Sequence, residues 1–328
     1  EIMPSLVGSE MCIRDRRSPR YLGMEYLLIS QKCMNIKMNM KVPTCIVVLI
    51  FTLSTVNVFA QNDYKWGEWT TWGDQGDGTY CNPVLPSDYS DIDCIRVGDD
   101  YYAISSTFQY SPGMVIIHSK DLVNWTIKGH VVSNLRQISE EMNWTRMNRY
   151  GRGIWAGAIR YYQGKFYVYF GTPDEGYFMS TATDPAGPWE PLHCVKAEKG
   201  WDDCCPFFDD DGQLYFVGTH FADKYKTYLY RMTSDGKTLI EDSKILINEG
   251  YGREASKLYK INGTYYHFFS EVKNGGRYIM MQRSSSITGP YLERKQLSHV
   301  QREYNEPNQG GLVAVSYTHL TLPTICSV

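Results

Sequence analysis

The chain has 328 residues, a formal net charge of −3 at pH 7 and a mean hydropathy of −0.38. The nearly neutral charge argues against binding to a nucleic acid backbone, and the low hydropathy excludes a polytopic membrane protein. The 26 Tyr, 8 Trp and 12 Phe beside 28 Gly favour many short strands and turns over long helices.

The two ends of the chain are interpreted as sequence of artificial origin. Residues 1–16 and 314–328 contain segments that resemble translated adapters used to prepare sequencing libraries, one in each orientation. The alternative interpretation is an ordinary N-terminal arm and a C-terminal strand. We exclude both ends from the reasoning about the fold.

A secretion signal is predicted next. Residues 17–39 are interpreted as upstream sequence and the basic start of the signal, and residues 40–60 as the signal peptide. The apolar stretch Cys45–Leu53 is followed by Val58–Ala60, which fits a small-residue cleavage site. This stretch is shorter than the ~20 residues that a membrane-spanning helix needs. The sequence therefore predicts an exported, periplasmic or extracellular protein, with no membrane anchor once the signal is removed.

Residues 61–313 contain a repeated hairpin that predicts an all-β domain. Each copy has a short strand, a tight polar turn and an aromatic-rich strand. The four copies are Cys94–Ile104, Ala158–Val168, Phe207–Val217 and Lys257–His267. Pairs such as Asp-Gly and Asn-Gly at these turns supply the positive φ angles that two-residue hairpin turns need.

A second polar signature follows each hairpin. Its four copies are Ser119–Trp125, Ser180–Trp189, Thr233–Gly236 and Ser284–Tyr291. The hairpins recur about every 50 residues, a period typical of four-stranded propeller blades. A β-sandwich, the alternative, does not predict two signatures in a constant order. Only Gln137–Met147 looks helical, and weakly so.

Three acidic residues precede the same hairpin in different repeats: Asp91, Asp203 and Glu254. The inner strands of a propeller converge on its axis, so acids near their ends can gather from distant sequence positions. Taken singly, each could also be a solvated acid at the start of a strand. Successive side chains of a strand point to opposite faces. Glu254 can therefore face a cleft without pairing with Arg253, which permits the raised pKa of a general acid.

Spacing alone predicts no metal site and no disulfide framework. The seven His are scattered singly. Asp209–Gly212 looks like part of a calcium loop, but it lacks the later Glu and better fits a hairpin turn. The cysteines of residues 61–313 are odd in number and irregularly spaced, so no pairing is defined.

The sequence resembles glycoside hydrolase family 43 from about residue 80 to residue 313. The motifs that carry this resemblance are Asn82–Pro86 with Ser90–Asp93, Arg96–Tyr102, His118–Trp125, Trp155–Ala156 with Ile159–Tyr161, Trp201–Gly212 and Glu254–Lys260. The resemblance implies a five-bladed β-propeller, of which about four blades are expected within residues 61–313. It also implies hydrolysis of xylosides or arabinosides with inversion.

The resemblance further implies roles for five residues. Asp91 is expected to be the general base that activates water, and Glu254 the general acid that protonates the leaving oxygen. Asp203 is expected to orient Glu254 and raise its pKa. Phe108 and Trp155 are expected to line the sugar-binding cleft, with packing between blades as the alternative for both.

No cofactor is predicted, although the resemblance leaves open a structural calcium ion at the propeller axis. Asn308 stands where family members have a His that helps organise an axial ion or water. The expected partners are hemicellulose oligosaccharides, with no nucleic acid and no membrane. The leading hypothesis is an exo-acting β-xylosidase or α-L-arabinofuranosidase. A non-catalytic sugar-binding propeller and a protein-binding repeat protein are the alternatives, and neither explains why all three acids are present.

Overall fold

The computed structural model describes residues 73–80, 84–85, 88–146, 148–298, 309–316 and 319–321. The predicted signal peptide, the N-terminal adapter-like segment, Cys81 and Asn308 lie outside these ranges. The chain divides into two units, Glu1–Trp69 and Thr70–Val328, and all described residues belong to the second. Within the described ranges, no helix has the length and apolar character needed to cross a membrane.

Each of the four predicted repeats forms a four-stranded antiparallel sheet, which we call a blade, with its strands paired in chain order. Blade 1 contains β1 (Asp93–Val97), β2 (Asp100–Ser105), β3 (Gly113–Ser119) and β4 (Trp125–Val132). Blade 2 contains β5 (Gly157–Tyr162), β6 (Lys165–Thr172), β7 (Gly176–Ala182) and β8 (His193–Lys196).

The other two blades follow the same plan. Blade 3 contains β9 (Trp201–Phe208), β10 (Leu214–His220), β11 (Lys226–Met232) and β12 (Leu239–Asn248). Blade 4 contains β13 (Glu254–Ile261), β14 (Thr264–Lys273), β15 (Gly276–Ser284) and β16 (Leu292–Gln296). The predicted all-β propeller is thus confirmed, with four blades in the described part of the chain.

The two sequence signatures occupy constant places in the blades. Every predicted hairpin joins the first and second strands of its blade, and every second signature joins the third and fourth. In blade 4 the turn residues Asn262 and Gly263 have φ angles of 49° and 77°. Two successive positive φ angles define the turn that matches the twist of paired strands, which explains the Asn-Gly pair there.

The weakly helical stretch predicted at Gln137–Met147 contains no α-helix among its described residues. Two short 3-10 turns lie at Leu135–Gln137 and Glu140–Met142 instead. The side chains of Asn134 and Ser139 cap them by accepting hydrogen bonds from backbone N–H groups. Ser139 has an extended backbone, with φ −158° and ψ 141°, which interrupts a continuous helix between the two turns.

The first strand of each blade lines the centre of the propeller, because β1, β5, β9 and β13 contact their neighbours in that order. The hydrophobic core lies between adjacent blades. Ile104, Ile159 and Phe170 are among the buried side chains between blades 1 and 2. Cys205 and Leu258 belong to the cluster between blades 3 and 4. This packing places the starts of the four inner strands around one opening.

A short strand pair follows blade 4 in sequence and spans the predicted boundary at residue 313. β17 (Val313–Ser316) pairs with β18 (His319–Thr321), and β17 also contacts β1. The guanidinium of Arg96 donates a hydrogen bond to the carbonyl oxygen of Val315 over 2.5 Å. The assignment of residues 314–328 to an artefact stays a prediction.

Candidate active site

The three predicted acids meet at one end of the inner strands. Asp91 lies just before β1, Asp203 lies near the start of β9, and Glu254 is the first residue of β13. Burial raises the pKa values of Asp203 and Glu254, and the negative charge of Asp91 raises both further. Charges act on one another in this way only over short distances, so the structure brings the three carboxyl groups into one site.

Asp91 is held by two hydroxyl groups. The Oγ atoms of Ser106 and Ser90 donate hydrogen bonds to its Oδ2 atom over 2.5 and 3.2 Å. The backbone of Asp91 is left-handed, with a φ angle of 57°. Such a conformation is unfavourable for a residue with a Cβ atom and is concentrated at functional sites. The carboxylate is therefore oriented by its surroundings while its side chain stays only half-buried.

Asp203 is buried and tied to the backbone next to Glu254. The N–H of Ala255 donates to its Oδ2 atom over 2.7 Å, and the amide of Gln309 donates to its Oδ1 atom. Asp203 and Ala255 both have left-handed backbones, with φ angles of 52° and 62°. Burial raises the pKa of Asp203, and the charge of Asp91 adds to this effect. Asp203 thus controls the position of the chain at Glu254.

Glu254 has the protonation behaviour of a general acid. Burial raises its pKa to about 7, with further contributions from the charges of Asp203 and Asp91. As predicted, Arg253 turns away from it and pairs with Glu271 over 2.7 Å. A different cation approaches instead, because the guanidinium of Arg277 lies 2.7 Å from Oε1 of Glu254 and opposes the rise in pKa.

Arg277 is a site residue that the sequence analysis missed. It lies near the start of β15, across the sheet from Glu254, and its Nη1 atom also donates to Ser270 Oγ and Gly252 O over 2.8 and 3.1 Å. No motif marks it in the sequence. Its place depends on the register of β14 and β15, in which Val272 lies opposite Arg277.

Asp202 is a fourth acid of the site, and it lies within the motif Trp201–Gly212 beside the predicted Asp203. Burial raises its pKa well above the ordinary range, and the neighbouring charge of Asp203 adds to this. Its Oδ1 atom is buried and has no hydrogen-bond partner among the described residues. The raised pKa favours the protonated, uncharged form of Asp202, and the adjacent Asp-Asp pair is the sequence feature that points to it.

The two aromatic residues predicted to line the cleft lie at the same end of the propeller as the acids. The N–H of Phe108 donates to Ile154 O over 2.9 Å, which brings Phe108 beside the segment that contains Trp155. Both side chains are half-buried. The Trp155 ring also lies 6.0 Å from the Phe221 ring, which follows β10 in blade 3. Trp155 therefore packs between blades while keeping an exposed part, and sugar binding by both residues stays a prediction.

The described residues around Lys257 at the propeller axis do not fit a calcium ion. Calcium binds about six to eight oxygen ligands at about 2.3–2.6 Å. Here the Nζ atom of Lys257 lies among the axial oxygens, 2.7 Å from Gly157 O and 3.5 Å from Cys204 O. Among the described residues, no group of three or more His, Cys, Asp or Glu side chains could hold a metal ion.

The fold and the site together define a class of protein: a β-propeller that gathers carboxyl groups with different protonation behaviour at one end of its inner strands. Glycoside hydrolases use a pair of carboxyl groups, one protonated and one ionised, to cleave the glycosidic bond. The model of the glycosyl hydrolases family 43 matches residues 80–317. The chain belongs to this family.

The chain is similar to proteins that are named as xylosidases and as an arabinofuranosidase. A beta-xylosidase of Formosa agariphila is 39% identical over 246 residues, which cover 67% of this chain and 41% of that protein. A non-reducing end alpha-L-arabinofuranosidase of Bacteroides ovatus is 34% identical over 223 residues, covering 65% of this chain and 40% of that protein. The crystal structure of a xylan beta-1,4-xylosidase from Bacillus halodurans superimposes with a TM-score of 0.62 at 28% identity, covering 74% of this chain and 49% of that one.

The chain spans less than half the length of these curated relatives. The matched shares are 41% and 40% of the lengths of these two relatives, and 49% of the chain in the solved structure.

Proposed function

We propose that the protein is an inverting glycosidase that releases xylose or arabinofuranose from hemicellulose oligosaccharides. The observation that carries the proposal is the carboxyl cluster, in which Glu254 has a pKa of about 7 beside the oriented carboxylate of Asp91. The names of the similar proteins support the choice of pentosides. Export from the cytoplasm, inferred from residues 40–60, belongs to the same proposal, because it would place the enzyme with a polymeric substrate.

The mechanism needs one proton donor and one proton acceptor on opposite sides of the sugar. Protonated Glu254 donates its proton to the leaving glycosidic oxygen as the bond from that oxygen to the anomeric carbon breaks. Asp91 accepts a proton from a water molecule whose oxygen bonds to the same carbon from the other face. The product is the free sugar with inverted configuration, and Asp203 keeps Glu254 in place through Ala255.

The experiment that tests this function measures hydrolysis of aryl β-xylosides and aryl α-L-arabinofuranosides, with NMR detection of the first anomer released. Inverted product from either substrate supports the proposal. Retained configuration would contradict the mechanism. Sugar binding without turnover of any pentoside would favour the non-catalytic propeller.

The pH profile of kcat/KM should shift when Arg277 is removed. Glu254 must be protonated to act, so activity is present below its pKa of about 7 and is lost as the pH rises through that value. Arg277 lowers this pKa, and Arg277→Met should therefore move the alkaline limb of the profile to higher pH. Arg294→Met is the control, because Arg294 pairs with Glu271 rather than with Glu254. An unmoved limb, or one displaced to lower pH, would show that Arg277 does not tune Glu254.

Removal of the Trp155 ring should weaken substrate binding more than the chemical step. A half-buried indole offers a flat apolar face on which a sugar ring can stack. For Trp155→Ala we expect KM to rise about tenfold with a smaller change in kcat, the equivalent of about 1.4 kcal/mol of binding free energy. Trp144→Ala, which removes an indole with 78% of its surface exposed, is the matched control. Steady-state kinetics on xylo-oligosaccharides measures KM and kcat separately. Equal KM values for both variants would contradict a role of Trp155 in sugar binding.

A further inference from the structure

Lys257 is a fully buried lysine at the centre of the propeller. It belongs to β13, its side chain is 1% exposed, and lysine is among the residues least often buried. Its Nζ atom donates to Gly157 O in β5 over 2.7 Å and lies 3.5 Å from Cys204 O in β9. The Oδ1 atom of Asp93 in β1 lies 4.0 Å away. One cationic group therefore faces an oxygen from the inner strand of each of the other three blades.

The carboxylate of Asp93, opposite Lys257, is also buried and pairs with a second cation, Arg160. Asp93 has no exposed surface, and its Oδ2 atom accepts hydrogen bonds from Arg160 Nη1 and Ile159 N over 2.6 and 2.9 Å. Its Oδ1 atom has no hydrogen-bond partner among the described residues, and the Nζ atom of Lys257 lies 4.0 Å from it. The axis already holds two cations against one carboxylate, which disfavours the entry of a divalent ion.

We propose that the amino group of Lys257 is the permanent cation of the propeller axis and takes the place of a metal ion there. A calcium ion could reach the same oxygens only by displacing Nζ, since both need to lie within a few ångströms of Gly157 O. The side chain is covalently attached, so chelators cannot remove its charge. The inner strands are thereby joined without a metal. The positive charge also acts on the acid cluster, because Lys257 opposes the rise in the pKa of Asp203.

The first test measures calcium binding by the full chain after treatment with EDTA. Isothermal titration calorimetry with CaCl2 should give no heat of binding, and the unfolding temperature should be the same in EDTA and in CaCl2. These readouts do not depend on activity or on a variant that folds. A calcium-dependent rise in unfolding temperature that is lost in Asp93→Asn would overturn the proposal.

The second test removes the amino group in two ways. Lys257→Met keeps the length of the side chain and should lower the unfolding temperature by about 10 °C, because it leaves Asp93 buried beside one fewer cation. Lys257→Ser should also lower the unfolding temperature, but it leaves space among the axial oxygens. CaCl2 should therefore raise the unfolding temperature of Lys257→Ser part of the way back, and it should not change that of Lys257→Met. The control Lys237→Met changes an exposed lysine. Equal unfolding temperatures for Lys257→Met and this control would refute the axial role.

Discussion

Replacement of Glu254 by Gln should lower kcat/KM on an unactivated xylosidic bond by about 10²- to 10⁴-fold, the usual contribution of general acid catalysis. The amide keeps the size of the side chain and removes the proton that the leaving oxygen receives. The loss should be much smaller for aryl glycosides whose phenolate leaves without protonation. The alkaline limb near pH 7 should also disappear from the pH profile, because Glu254 is the group that titrates there.

The control for Glu254→Gln is Glu241→Gln. Glu241 lies in β12 of blade 3, has a side chain that is 58% exposed and pairs with Lys196 in β8 of blade 2, so its loss should leave kcat/KM unchanged. Measurements on a series of leaving groups decide the outcome. An equal loss on activated and unactivated substrates would assign the acid role elsewhere, with Asp202 as the next candidate because its pKa is also raised.

Replacement of Asp91 by Asn should lower turnover by a similar factor, about 10²- to 10⁴-fold, on every substrate regardless of its leaving group. The attacking water loses its proton acceptor in each case, and a better leaving group does not replace that acceptor. The hydroxyls of Ser90 and Ser106 can still bind the amide oxygen, so the fold should be retained. Unfolding curves check this point, and kinetics with activated and natural substrates check the rate.

Asp99→Asn is the matched control for the general base. Asp99 lies in the hairpin turn after β1, its side chain is 93% exposed, and it should not affect turnover. If Asp91→Asn retained wild-type rates, the proposed mechanism would be wrong even if hydrolysis itself were confirmed. A loss that depends on the leaving group would instead exchange the roles of Asp91 and Glu254.

The fold was predictable because its signals are local. The turn pairs and alternating strands occur within about ten residues of each other, and backbone geometry alone relates them to hairpins. The three acids were also identifiable, since each precedes such a hairpin by three or four residues. The segment at Gln137–Met147 was less clear because caps at Asn134 and Ser139 compete with a helical pattern.

The partners of the site could not be predicted in the same way. Arg277 reaches Glu254 only through the register of β14 and β15, which no short motif specifies. In the sequence Lys257 is only the first residue of the fourth predicted hairpin, and its burial contradicts the ordinary preference of lysine for the surface. The contact of Arg277 with Glu254 and the contacts of Lys257 with the axial oxygens both depend on tertiary packing. A short sequence motif does not specify that packing.

The position of Lys257 also constrains the order in which the protein can be assembled during synthesis. Its axial contacts join residues that are 53 and 100 positions apart, at Cys204 and Gly157. Blades 1 to 3 leave the ribosome before Lys257 does, because the chain is synthesised from its N-terminus and a domain folds as a unit. Until blade 4 appears, the buried carboxylate of Asp93 lacks one of its two cations. We therefore expect early blades to stay loosely associated on the ribosome and to lock together only when β13 arrives.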